Sequence, residues 1–443
     1  MSTEPDGSMT RFGAVRRKHV IGIVKQGPTE IGYAYFRARR RRLNRADSDS
    51  LLTESDELAL SGAFDATDEQ MAANAAVVEA YRRAERFEIR SIQWFLPYFT
   101  HVYYGGVHTV LRFADRFARE YGVQTRLHIF DVGSDRVPEL RQKVIGAFPS
   151  LAQATFTSAG DTGLADLPAC DAAIGTLWSS VYQVLRMSQA RSKFYFVQDN
   201  EQQFYAAGAA AALAEETYRL GLPGIVNTPG LAEVYREYGN PAVSFVPAVD
   251  THRYYPPTEP RDPAAPVRVF FYGRPMTPRN AFGLGLAALA KLKDLCGDSV
   301  DIVCAGENWN PGQYGVADRV RNLGVLGSLE EVGALYRSCD IGLVFMGTKH
   351  PSYQPFEFMA SGMATVSNYN PATTWLLRDG ENCLVTPPLP TPTAERLERL
   401  VRDRELRARI SAAGLAAVRG YHWDDQIDRV WKAMTRQDDS FAL

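Results

Sequence analysis

The chain has 443 residues, of which 45% are hydrophobic and 23% charged, and its formal net charge is -2. This length allows two or three domains with their own cores, and the composition is that of an ordinary soluble globular protein. The near-neutral total argues against a partner held mainly by charge, such as nucleic acid. No apolar run approaches the ~20 residues that span a bilayer, and the acidic start MSTEPDGSMTRF has no apolar core, so no secretory leader is expected. Cys170, Cys296, Cys304, Cys339 and Cys383 are scattered, odd in number and without a CxxC pair. Buried free thiols in a reducing cytosol are expected.

Residues 1–88 look like an N-terminal extension, helical or flexible, to the main fold. Residues 1–45 carry 11 Lys/Arg against 3 Asp/Glu, and residues 46–88 carry 3 against 11. Tyr33, Tyr35 and Phe36 precede the run Arg37-Ala38-Arg39-Arg40-Arg41-Arg42. Basic residues beside aromatics can hold residues 11–45 on an anionic membrane surface. A solvated arginine face, or an arm paired with the acidic stretch, is the plainer alternative. Residues 66–86, rich in Ala and Glu, are expected to be helical.

From Ile89 strands and helices alternate. Strands are expected at Arg90–Leu96, Gln124–Asp131, Ala172–Thr176, Lys193–Gln198, Ile225–Asn227 and Val243–Val246. Helical spacers between them imply a parallel sheet with right-handed crossovers. A proline-rich stretch from Val246 then breaks the rhythm and reads as a linker ending near Pro266. A second series follows, with strands at Val267–Tyr272, Val300–Gly306, Leu323–Gly327, Ile341–Phe345, Ala364–Asn368 and Asn382–Val385. Helices are expected at Asn280–Leu295, Leu329–Ser338, Phe356–Ser361, Ala394–Val418 and, amphipathic, Trp423–Met434. The expected α/β domains are therefore residues 89–262 and 263–422, with 423–443 as a closing helix.

Candidate chemistry gathers at strand ends. The stretch HPSYQPFEFMASG, from His350, follows an apolar strand and opens a helix with Glu357 near its start. Loops of this kind bind anionic ligands in doubly wound sheets. A carboxylate there suits a sugar diol rather than a phosphate, and a nucleotide sugar carries both groups. Ser352 and Tyr353 lie on the same loop. Gly273-Arg274-Pro275-Met276-Thr277-Pro278-Arg279-Asn280 follows the first strand of the second series. Its two arginines can close on a diphosphate, with the helix N-terminus adding its dipole. Exposed arginines in a proline-rich turn, and a Glu that merely caps its helix, are the alternatives.

Gly105-Gly106 lets backbone approach a ligand closely, or is an ordinary strand-to-helix turn. The spacing is not GxGxxG, which weakens a dinucleotide reading. Gln198-Asp199-Asn200-Glu201 emerges from an apolar strand. These residues could hold sugar or acceptor hydroxyls, with Asp199 or Glu201 as a base, or they cap the next helix. His101 and His108 flank the glycine pair. The seven histidines show no HxxxH or HxH spacing, and the lone DxD run, Asp47-Ser48-Asp49, lies in the polar arm, so no metal is expected. No GxSxG elbow supports a hydrolase.

GRPMTPRN, LGSLEEVGALYRSCDIGLVF, PFEFMASGMATVSN and RDGENCLVTPP together resemble family 4 glycosyltransferases of the GT-B fold, over about residues 89–435 and most strongly from Val269 to Val385. The resemblance implies two Rossmann-like doubly wound domains facing a cleft, the N-terminal one for the acceptor and the C-terminal one for the nucleotide sugar. It implies that Arg274, Arg279, where a Lys is usual, and Asn280 hold the diphosphate. Val325 and Leu326 would lie near the base, and Glu357 would contact the ribose. The family's first Glu, eight residues earlier, is here Lys349, so Lys349 and His350 mark a different recognition of the donor sugar. WFLPYFTHVYYGGVHT, FVQDNEQQFY and HPSYQPFEFMASG look most like the bacterial rhamnosyltransferase branch that uses dTDP-L-rhamnose. Gln198 and Asp199 would then sit beside the sugar, with Asp199 as an acceptor-side group.

The implied activity is metal-independent and cofactor-free transfer of a sugar from a dTDP- or UDP-sugar to a glycan or glycolipid, with retention. It would serve polysaccharide synthesis for the bacterial cell envelope, in the cytoplasm or at the inner face of the membrane. A nucleotide-sugar epimerase or hydrolase, and a non-catalytic scaffold of the same fold, are the rival readings.

Overall fold

The computed structural model describes residues 58–443, apart from 104, 260, 351, 439, 440, 442 and 443. The expected membrane-contact stretch 11–45 and the Asp47-Ser48-Asp49 run lie outside the described residues. Helix α1 (Asp68–Arg83) opens the fold with a capping box. Thr67 accepts from the Gln70 N–H, and the Gln70 side chain accepts from the Thr67 N–H. Its Tyr81 ring is buried 5.1 Å from Phe194.

Strands β1 (Ser91–Leu96), β2 (Gln124–Ile129), β3 (Thr155–Ser158), β4 (Cys170–Gly175), β5 (Ala190–Val197), β6 (Gly224–Asn227) and β7 (Ala242–Phe245) form a parallel sheet ordered β3-β2-β1-β4-β5-β6-β7. The helices among them are α2 (Gly105–Tyr121), α3 (Val137–Ala147), α4 (Trp178–Arg186), α5 (Ala209–Glu216) and α6 (Pro229–Arg236). By packing, one compact unit takes the described residues up to Val102 with Val107–Tyr195 and Glu201–Leu222. The other takes Tyr103–Gly106, Phe196–Asn200 and the chain from Pro223.

The second sheet is built from β8 (Val267–Gly273), β9 (Val300–Gly306), β10 (Arg321–Asn322), β11 (Ile341–Val344), β12 (Ala364–Asn368) and β13 (Leu384–Thr386), ordered β10-β9-β8-β11-β12-β13. Around it lie α7 (Phe282–Cys296), α8 (Leu329–Arg337), α9 (Gln354–Ala360), α10 (Pro390–Arg402), α11 (Arg404–Val418) and α12 (Trp423–Met434). Its central strands are mostly apolar because both faces are covered. Val269 and Phe271 pack with Leu286, Leu289, Leu397 and Leu400 on one side. Phe270 packs with Tyr336, Phe358 and Met359 on the other. This period of two is what a strand dictates. Burying each such side chain contributes roughly 1.5–3 kcal/mol. At the end of the chain, Trp423 on α12 lies 6.4 Å from Phe245, and Gln426 accepts from the Val246 N–H at 2.9 Å.

Two expected elements differ. Leu323–Gly327 is not a strand. The strand ends at Asn322, backbone bonds to β9 continue only as far as Leu323 and Gly324, Gly324 turns the chain at φ 73°, and Val325 is exposed. The single helix expected over Ala394–Val418 is two, because Asp403 leaves helical backbone and its carboxylate caps α11 by accepting from Leu406 N at 2.8 Å. All five cysteines are free, and four of them are buried.

Candidate functional site

In the second sheet the winding reverses beside β8, with β9 and β10 on one side and β11 to β13 on the other. Strands β8 and β11 pair in parallel, Ile341 opposite Val269 and Leu343 opposite Phe271. Their following loops therefore leave one sheet edge side by side. That is the switch point at which open α/β sheets take ligands. Both loops are those singled out by sequence.

The loop after β8 carries the two arginines. Arg274 Nε lies 3.1 Å from Glu307 Oε1, with its guanidinium 5.6 Å from the Tyr272 ring centre. Glu307, the first residue after β9, also accepts from Met276 N–H at 3.0 Å, so one carboxylate orients the side chain and its loop. Arg279 Nε lies 3.5 Å from Asp199 Oδ2. The Arg279 carbonyl accepts from Gly347 N–H at 2.7 Å, tying this loop to the one after β11. Asn280 is buried, and Ala281, at φ 47°, turns the chain into α7.

The loop after β11 is pinned from β12 and beyond. Asn368 donates to the Met346 carbonyl at 3.0 Å and accepts from its N–H at 2.8 Å, and Asn370 donates to the Thr348 carbonyl at 2.6 Å. Lys349 is partly buried, and His350 is buried with Nδ1 accepting from Ser352 N–H at 3.0 Å. Burial, then Arg279, push the His350 pKa down, while Asp199 pulls it up. The Tyr353 hydroxyl accepts from Asn227 Nδ2 at 3.2 Å. A side chain at Gly105 would come within 3.2 Å of the Tyr353 ring, and one at Gly106 within 3.3 Å of the Gln198 amide. The glycines thus allow close packing against two candidate residues.

Glu357, in the first turn of α9, is partly buried, and Tyr336 and Tyr254 favour its charged form. Burial lifts its pKa to about 7 against the pull of those two tyrosines. Tyr272, with the Arg274 guanidinium 5.6 Å from its ring centre, feels the charges of both Arg274 and Glu357. Leu326 packs on the core cluster around Tyr336, and Val325 is exposed.

His101 lies exposed in the first unit. His108 there holds its own loop through the Val102 carbonyl at 3.2 Å. Glu201 is a buried structural carboxylate that accepts from Tyr195 OH at 2.9 Å and from the Trp178 N–H at the start of α4. Sequence reasoning passed over Glu307, Tyr254, Tyr336 and Asn227. Glu307 and Asn227 carried a usable signal, since each stands at the C-terminal end of an apolar strand. Among the described residues, no group of three or more His, Cys, Asp or Glu is placed to hold a metal ion.

Two parallel Rossmann-like sheets, the second with charged and polar loops at its switch point, define the GT-B fold of glycosyltransferases. The model for the family described as WsaF, C-terminal domain, matches residues 267–398. Over 360 residues, 81% of its length, the chain is 45% identical to the O-antigen biosynthesis protein RfbC of Myxococcus xanthus, of which it spans 28%. Similar solved structures include HepE of Anabaena in complex with UDP and glucose, with TM-score 0.60, 14% identity, and 78% of this chain and 99% of that one covered. Sucrose-phosphate synthase from Thermosynechococcus elongatus matches with TM-score 0.58, 12% identity, and coverage of 78% and 98%.

Proposed function

We propose that the protein is a glycosyltransferase that moves a sugar from a nucleoside-diphosphate donor to a glycan or glycolipid acceptor in O-antigen or related polysaccharide synthesis. The observation that carries this reading is the pairing of the β8 and β11 loops at the switch point. It sets Arg274 beside Tyr272, a ring that also feels the charge of Glu357, and Arg279 beside Asp199 and His350. The likeness to an O-antigen biosynthesis protein, and a fold shared with a UDP-bound protein, support it.

The reading extends to a family 4 enzyme using dTDP-L-rhamnose with retention, on the motif resemblance alone. Arg274, Arg279 and the amides at the start of α7 stabilise charge growing on the departing diphosphate, so the leaving group departs without protonation by the protein. Glu357 and its neighbouring tyrosines face the ribose, and the acceptor hydroxyl attacks the anomeric carbon on the face the diphosphate leaves, passing its proton to the departing phosphate oxygen. No step needs a metal or an added cofactor. On the same resemblance, the enzyme works in the cytoplasm or at the inner face of the membrane. No helix among the described residues is long and apolar enough to cross a membrane.

Release of dTDP or UDP from the corresponding nucleotide sugars, followed with and without glycan acceptors, tests this. Acceptor-dependent release supports transfer. Acceptor-independent release supports a hydrolase, and none with any donor overturns the enzymatic reading.

A further inference from the structure

His350 is 4% exposed, yet among the described residues its Nε2 has no hydrogen-bond partner. The other ring nitrogen, Nδ1, accepts from the Ser352 N–H at 3.0 Å. A nitrogen that accepts carries no proton, so in the neutral ring the proton sits on Nε2. Burial and the neighbouring Arg279 favour that neutral ring over the imidazolium that Asp199 would favour. Ser352 adopts φ 65°, in the region a non-glycine residue rarely occupies, where its N–H meets Nδ1. The outcome is a buried N–H donor with nothing to receive it.

The neighbouring segments hold further orphans. Thr348 Oγ1, Gln198 Oε1, both side-chain polar atoms of Asn200, and Asn227 Oδ1 are buried without partners among the described residues. Asn200 and Asn227 are fully buried. Contacts link these segments: Asn227 to the Tyr353 hydroxyl, the Tyr353 ring 6.4 Å from that of His350, and Gln198 against Gly106. Buried polar atoms are almost always paired, so orphans gathered on connected loops mark a ligand. Their chemistry selects it. Three are amide oxygens, which need donors. A phosphate near neutral pH offers only acceptors, whereas hydroxyl groups both donate and accept.

We infer that His350 is a specificity-determining residue whose Nε2–H donates to a hydroxyl oxygen of a neutral, hydroxylated sugar ring, while the amide oxygens of Gln198, Asn200 and Asn227 receive the ring's own O–H groups. The assignment rests on the nucleotide-sugar reading above and names the part of the donor that this side chain reads.

The test measures binding to the full chain of UDP-glucose and dTDP-L-rhamnose, each beside its free nucleotide, UDP or dTDP, by calorimetry. His350→Gln keeps an N–H donor near the Nε2 position, His350→Asn keeps one only near Nδ1, and His350→Phe keeps none. For the nucleotide sugar that binds the unaltered protein, Phe and Asn variants should lose about tenfold in affinity, the worth of one buried hydrogen bond, with the Gln variant close to the original. Affinity for the free nucleotide should not change. An equal loss for the free nucleotide places the contact on the diphosphate and overturns the assignment. Unchanged nucleotide-sugar affinity in folded Asn or Phe variants, or a Gln variant as weak as Asn, also overturns it while leaving the donor reading intact. Failure of the unaltered, folded protein to bind either nucleotide sugar overturns both.

Discussion

Arg279 leans on Asp199, Nε to Oδ2 at 3.5 Å, across 80 residues of sequence. The carboxylate side chain is 10% exposed and the guanidinium 34%. Asp199 is itself fixed, since Oδ1 accepts from the Asn200 N–H at 2.8 Å. An arginine proposed to hold a diphosphate therefore already has an anion beside it. Asp199→Asn should free its charge and tighten UDP or dTDP binding, by about three- to tenfold because solvent screens a partly exposed pair. Calorimetry at low and high salt measures it. Weaker nucleotide binding in a folded variant would mean that Asp199 positions Arg279 rather than competing with the ligand.

The Arg274 guanidinium is held by Glu307, which also accepts from the Met276 N–H. Arg274→Ala should lower turnover by about 10²–10³, the usual cost of removing one preorganised donor to developing charge. Arg274→Lys should recover little, because an ammonium cannot reproduce the planar fork that Glu307 orients. Glu307→Ala should act through the loop and raise KM for the nucleotide sugar more than it lowers kcat. Initial-rate kinetics on the three variants separate these effects. Equal rates for Arg274→Ala and the unaltered protein remove Arg274 from the diphosphate site.

Glu357 gives a pH signature. Burial raises its pKa to about 7 from the ordinary 4.5. A raised pKa contributes stability that is fully present below pH ~4.5 and lost as the pH rises through about 7. The full shift corresponds to about 3 kcal/mol. Glu357→Gln keeps the shape and cannot ionise. Its stability relative to the unaltered protein should rise steadily between pH 4.5 and 8, by up to that amount, in urea unfolding at several pH values. A difference that stays flat with pH would show that the carboxylate titrates normally.

The strands were legible where apolar runs are bounded by polar or glycine punctuation. Val300–Gly306 and Ala364–Asn368 fall where the sequence places them, as does the helix Trp423–Met434. Helix α4 was harder to read. Its apolar residues Trp178, Val181, Tyr182 and Leu185 keep helical spacing, but nine residues is a short run, and its polar residues Ser179, Ser180 and Gln183 are buried as well. The 323–327 segment misled because Leu, Val and Leu look like a strand when the φ of Gly324 is unknown. Both candidate loops were visible because each follows an apolar strand and opens a helix. Their partners were not. Nothing local ties Asp199 to Arg279, or Tyr254 and Tyr336 to Glu357, because those pairings are made by sheet order and by burial.

The β11 strand sets the position of the His350 loop, and one glycine in it can be tested for that role. A Cβ at Gly342 would lie 2.3 Å from the Phe358 ring of α9, well inside van der Waals contact. Phe358 is fully buried and wedged 5.7 Å from Phe270 and 5.1 Å from Tyr336, so it has no free direction in which to move. Helix α9 must shift instead, carrying Glu357 with it. Gly342→Ala should therefore destabilise the protein by about 1–3 kcal/mol, the usual cost of overpacking, and weaken nucleotide-sugar binding more than the stability loss alone accounts for. Pairing it with Phe358→Leu, which removes the opposing ring, should recover much of the stability if the clash is the cause. Urea unfolding of the single and double variants measures the coupling, and additive losses would show that Gly342 and Phe358 do not oppose each other in solution.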